Sequence, residues 1–161
     1  MRLLVWDEKV SSVRSVSHSQ NPSLETSLIL WYSGVEHELN MKINFLFVCD
    51  SVTNDKKLNV EGIFDSVASQ GFPALHPVMF VVVNLEIPQE EQGKSYVESF
   101  KILFDNKIII EDTTSFSANS ARHQFLHRIE NLGLENPGRY DIQIFMGGKK
   151  IGETYFMAKQ I

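Results

Sequence analysis

The chain has 161 residues, 43% of them apolar, which suits one domain with a filled core and leaves little room for two. Lys and Arg total 15 against 20 Asp and Glu, so the net charge of −5 supplies no positive field to gather nucleic acid or an anionic membrane. The longest apolar runs fall far short of the roughly 20 residues a bilayer helix needs, and the single cysteine, Cys49, rules out an internal disulfide. A soluble, cytoplasmic protein is the expectation.

Composition changes near Met41. Residues 1–40 hold both tryptophans, 8 of the 16 serines and no phenylalanine, whereas all 11 phenylalanines lie between Phe45 and Phe156. The apolar start Leu3-Leu4-Val5-Trp6 is cut off by Asp7-Glu8, too short for a signal peptide. The stretch Ser11 to Ser27 has neither helical nor strand period and too few large apolar groups to offset its ordering entropy, so it reads as disordered. Leu28 to Tyr32 is open between a strand and a docking segment. Residues 1–40 are therefore expected to be a disordered or spurious upstream extension, with Met41 as the translation start and residues 41–161 as one domain.

From Met41 onward the chain alternates with period 2, as half-buried strands do. Ile43, Phe45, Phe47 and Cys49 share one face of the first strand, and the turn cluster Ser51 to Lys56 leads into a second that carries Leu58, Val60 and Phe64. Gly62 inside that strand marks a bulge or a close approach. Two prolines make Phe72 to Pro77 a connection. Val78 to Val83 is apolar on both faces and so reads as a central strand. A polar loop, Gln89 to Lys94, precedes a strand marked by Tyr96, Phe100, Ile102 and Phe104. Asp105-Asn106, tolerant of φ > 0, turns that strand into Ile108-Ile109-Ile110. Arg122 to Leu132 fits either a helix or a strand; strand is chosen because its neighbours are strands. Asn136-Pro137-Gly138-x-Tyr140 resembles a tyrosine corner, and Tyr140 to Met146 returns through Gly147-Gly148 into Lys149 to Ala158. The expected fold is all-β: an antiparallel two-sheet sandwich of about seven or eight strands, immunoglobulin-like or jelly-roll.

Four segments together, Phe47-Val48-Cys49-Asp50, Val60-Glu61-Gly62-Ile63-Phe64-Asp65, Phe72 to Pro77 and Pro137-Gly138-Arg139-Tyr140, resemble a family of short bacterial proteins known as a domain of unknown function. The likeness runs from about Met41 to the C-terminus. It implies a β-sandwich and no reaction, substrate or catalytic residue.

Asp50 and Asp65 could form a general acid and base, but with Asp50 at the turn end of a hairpin they would stand on the order of 23 Å apart; strand-terminating hydrogen bonds explain them better. His123 and His127 are four apart and His76 could add a third nitrogen, the one arrangement with metal-binding character. A helix would place the pair about 6 Å apart and a strand about 13 Å, too far for one ion, so they read as partly exposed histidines flanking Phe125. Cys49, without a C-x-x-C motif, reads as a small buried hydrophobe. Gly147 to Gly152 lacks the phosphate-loop pattern and a following helix, and Gly71 to Pro77 reads as a corner between sheets. No catalytic set and no cofactor are expected. The leading function is a non-catalytic binding or assembly module whose loops or exposed sheet edge engage another protein, including a copy of itself. The rival is an enzyme or metal-dependent ligand binder using His76, His123 and His127 with Asp112 or Glu130.

Overall fold

A computed structural model describes Leu4–Val5 and residues 40–161. The disorder and upstream extension expected over residues 1–40 fall, apart from Leu4, Val5 and Asn40, outside the described residues. The described chain is all-β. Its strands are β1 (Leu4–Val5), β2 (Lys42–Asn54), β3 (Leu58–Phe64), β4 (Ser66–Ser69), β5 (Ala74–Glu86), β6 (Ser95–Phe104), β7 (Lys107–Ser117), β8 (Arg122–Leu134), β9 (Gly138–Met146) and β10 (Lys149–Gln160). The only helical turn among the described residues is a 3-10 turn, Gln89–Glu91.

The strands form two sheets, β1-β8-β5-β2-β3 and β4-β10-β9-β6-β7. Nine strands of four residues or more replace the seven or eight expected, because the chain changes sheets in the span of one residue. Asp65 alone separates β3, which pairs with β2 in the first sheet, from β4, which pairs with β10 in the second. The β4–β10 pairing is parallel, so the antiparallel expectation holds for the other neighbours and not for this one. Two backbone bonds anchor the crossing: the Met157 N–H donates to Asp65 O at 2.8 Å and the Ile161 N–H to Ser69 O at 3.0 Å.

Arg122 to Leu134 is a strand, and the central position expected for Val78 to Val83 is that of β5, third of five in its sheet. Val81, Val82 and Val83 are all buried, hence apolar on both faces. Along β5 the buried row is Met79, Val81, Val83 and Leu85; along β8 it is Phe125, His127 and Ile129. Below the Val78–Glu130 rung both strands change parity, with Leu75 exposed and Leu132 and Leu134 buried. Asn131 at φ 54° rotates the chain at that point.

Two segment boundaries differ from expectation. β2 continues through Asn54, so Ser51 to Asn54 is strand and the turn shrinks to Asp55 to Lys57. β5 begins at Ala74, so His76 and Pro77 lie inside a strand. Proline is tolerated because β2 pairs with β5 only from Phe80 onward, leaving that side of Pro77 without a ladder that needs its N–H. The two hairpin turns stand as expected, with Asp105 and Asn106 at φ 48° and 60° and Gly147 and Gly148 at 57° and 84°. Tyr140 Oη donates to Asn136 O at 2.9 Å, the back-bond anticipated for this tyrosine.

Gly62 is the close approach read from the sequence: its φ is 65°, and a Cβ there would meet the Asp50 carboxylate. Gly62→Ala is therefore expected to lower stability by about 1 kcal/mol in urea unfolding, since the left-handed backbone is costly for alanine. Adding Asp50→Ala should relieve the side-chain contact and leave the backbone part of the loss.

Candidate functional site

The three histidines occupy separate places along the first sheet. His123 and His127 are on β8, four residues apart on one extended face, or about 13 Å; His76 on β5 pairs with Leu132, a further five residues along β8. The His123 ring is tilted against Phe116 and Phe125, with centroids 4.4 Å and 4.6 Å away. Glu130 is ion-paired with Arg128, and Asp112 on β7 sits opposite Phe100. Among the described residues no three His, Cys, Asp or Glu side chains are grouped to hold a metal.

His127 is not partly exposed, as its polarity suggested, but fully buried, and so is Glu98 on β6 of the other sheet. His127 Nε2 lies 3.1 Å from Glu98 Oε1. Phe100 covers the imidazole at 4.3 Å, and Phe125 stacks on it at 5.8 Å with 9° between the rings. The contact places a hydrogen bond between the sheets inside an aromatic wall. Glu98 Oε2 and His127 Nδ1, both buried, have no hydrogen-bond partner among the described residues. Sequence reasoning passed over Glu98, although it stands in the inward row between Tyr96 and Phe100, where only apolar groups were sought.

A second polar knot fixes the loop before β6. Glu91 is buried, and its carboxylate accepts from Lys94 Nζ at 3.0 Å and from Tyr96 Oη. Burial, then the neighbouring Glu91, pushes the Tyr96 phenol up to about 12, so it stays a donor. Cys49 is buried, and that burial, reinforced by Asp50, pushes its thiol up to about 11; the group is a neutral core thiol and not a nucleophile. Asp50 is mid-strand beside Gly62, not at a turn. Asp65 is three residues from Gly62, which puts the two aspartates about 11 Å apart along and across the strands and corrects the longer separation expected. Lys150 of the final turn pairs with Glu153 at 2.8 Å, in keeping with a solvated hairpin.

The feature with binding character is an edge. β7 is the outermost strand of the second sheet and is 11 residues long. It pairs with β6 on one side, and no described strand pairs with the other. An edge strand presents alternate N–H and C=O groups outward. Ile109 is the extra residue of a bulge, since Ile102 faces Ile110 while Leu103 faces Ile108; from Ile110 to Ser117 the register is unbroken. Ile110 and Phe116 are buried, whereas Glu111, Thr113, Ser115 and Ser117 alternate with them on the exposed face. Ile108, at 50% exposure, adds apolar surface at the strand's start. The other edges are poorer templates: β4 has four residues, β1 two, and β3 is interrupted by Gly62.

These observations define an all-β domain of two facing sheets, pinned by a buried Glu–His contact and bordered by one long edge that is unpaired among the described residues. The chain belongs to a family of unknown function (DUF6941), whose profile matches residues 44–159. No curated protein matches it. Among solved structures, it is similar to the Pseudomonas fluorescens alkylpurine DNA glycosylase AlkC bound to DNA containing an abasic site analog. The TM-score is 0.51 at 13% identity, over 79% of this chain and 32% of that one. A β-glucosidase from Listeria innocua in complex with glucose gives 0.41 at 6% identity, over 76% of this chain and 17% of that one. The chain thus spans about a third and a sixth of these proteins, and the first likeness concerns fold alone.

Two outcomes follow from the buried groups. Glu98→Ala or His127→Ala should each cost about 3–5 kcal/mol in urea unfolding, because the remaining polar group stays buried alone, while Glu98→Met with His127→Leu should recover most of that loss. Burial holds the His76 imidazole below the ordinary value of 6.5, against smaller opposing effects of Asp50 and the Val78 backbone. The unfolded chain then binds this proton more readily, so its contribution to stability is present above pH 6.5 and lost as pH falls below it. His76→Phe should gain stability relative to the parent as pH drops through that range, measured as the difference between paired unfolding curves.

Proposed function

We propose that this domain is a non-catalytic protein-binding module of the cytoplasm, an immunoglobulin-like β-sandwich that engages its partner through the free edge of β7. The observation that carries the reading is the strand itself: long, outermost, in regular register beyond its bulge, and held rigidly from behind. Recognition by strand addition takes its affinity from main-chain hydrogen bonds and its selectivity from alternate side chains. β7 offers both, with Glu111, Thr113 and Ser115 on the exposed face. The Tyr140 back-bond to Asn136 supports the immunoglobulin-like variety, and the lone, buried Cys49 suits a reducing compartment.

A photo-reactive amino acid at Ser115, carried by the full chain in its native cells, is expected to give covalent protein adducts well above those from the same group at Lys56 in the β2–β3 turn. Equal yields at the two positions would overturn the edge as the binding surface.

A further inference from the structure

We propose that the partner of β7 is a second copy of this chain, the two β7 strands pairing antiparallel about a two-fold axis that passes through Thr113. The inference rests on the reading of β7 as a binding edge and goes further by naming the occupant and its register.

The argument is one of self-complementarity. A two-fold interface brings the same strand against itself, so a residue i faces 2c − i, where c is the residue on the axis. Directly opposed residues in antiparallel strands share a sheet face and interact in pairs. With the axis at Thr113, Glu111 faces Ser115, Asp112 faces Thr114, Ile110 faces Phe116, and Thr113 faces itself. No like charges meet. The buried Ile110 and Phe116 extend the core row of each copy into the other, and the Thr114 hydroxyl of one copy can donate to the Asp112 carboxylate of the other. Shifting the axis by one residue destroys the match. An axis at Asp112 sets that carboxylate against its twin, and one at Thr114 sets Phe116 against Asp112.

The arrangement also explains two features of the strand. Asp112 and Thr114 lie between Ile110 and Phe116 on the inward side, where a solitary edge would gain nothing from them but a paired edge gives them partners. The bulge at Ile109 stops regular pairing at one end, so with the axis at Thr113 the shared ladder would run from Ile110 to Phe116, leaving Ser117 opposite the bulge. Two five-stranded sheets would join into one continuous ten-stranded sheet.

Substitutions at the exposed Ser115 test the register without touching the core. Ser115→Glu places like charges opposite each other twice, and Ser115→Lys places opposite charges there twice. At about 0.2–1 kcal/mol per cross-strand pair, the first should weaken dimerisation by about 2- to 30-fold and the second strengthen it comparably. Sedimentation velocity of the full chain and both variants over a concentration series reads the effect, with far-ultraviolet circular dichroism as the control for folding. Thr113→Cys should form an intermolecular disulfide under mild oxidation faster than Leu75→Cys on β5, an exposed position of the other sheet. A monomer at the highest attainable concentration, an unchanged dimer constant in both charge variants, or equal oxidation of the two cysteine variants would each overturn the proposal. Ser115 photo-adducts containing a different protein from a monomeric chain would overturn the self-pairing while leaving the binding edge standing; no selective adduct and no dimer would overturn both.

Discussion

Burial of Glu98 and His127 against each other constrains the whole arrangement of the two sheets. Neither group can be left alone in an aromatic interior, where an unpaired charge or donor costs several kcal/mol. Glu98 is on β6 and His127 on β8, so the contact is satisfied only when each strand shows the correct face to the other sheet. A slip of one residue in either strand would turn its polar group outward and leave the other buried without a partner. The net stabilisation from such a pair is small compared with an apolar replacement; its effect is to penalise wrong registers. The neighbouring rows, Met79 to Leu85 on β5 and Ile142 to Met146 on β9, would tolerate many apolar exchanges and so specify register less sharply.

From that pin the two sides of the domain diverge. On one side β3 runs straight into β4, and the chain itself closes the gap between sheets; farther along that side, a Cβ at Gly152 in β10 would run into the Ile43 side chain of β2. On the other side the chain crosses from β7 to β8 over residues 118–121, where Ala118 exchanges backbone hydrogen bonds with Gly93 and Lys94, and side chains close the rest. Phe116 of β7 meets His123 and Phe125 of β8, with ring centroids 4.4 and 5.0 Å away. Lys101 ties β6 to β7 through Glu111 at 2.9 Å. β7 is therefore fastened along its inner face and along β6, while among the described residues no strand pairs with its outward backbone. An edge fixed in this way loses little conformational freedom on pairing, which favours association.

Much of the fold was legible because hairpin chemistry is local. Asp105-Asn106 and Gly147-Gly148 carry their turn geometry in their residue types, and Val78 to Val83 declares a two-faced strand by lacking polar alternation. Arg122 to Leu132 was ambiguous by period, and strand pairing with β5 decided it, a choice made at long range. The length of β2 was obscured because Ser51, Thr53 and Asn54 are turn formers that here pair with β3. β4 was hidden for a different reason: four residues next to Asp65 look like the end of β3, and only the second sheet makes them a strand of their own. As for the site, Cys49 was read correctly as core, whereas Glu98 and His127 were not, since a charged residue in an apolar row becomes informative only once its partner across the core is known.

The absence of a chemical motif in the sequence and the presence of a free edge are connected. Strand addition is carried by backbone groups that every residue but proline possesses. A binding site of this kind requires no particular side chain, only a strand of sufficient length, regular beyond one bulge and left uncovered. Those are properties of topology: β7 is available because β6 lies between it and β9, and because the chain leaves β7 for the other sheet, where β8 pairs with β5 instead of returning beside it. Side chains enter only as selectors of what may pair. In the proposed pairing, Ile110 to Phe116 would carry that selection, its two halves complementing each other about Thr113.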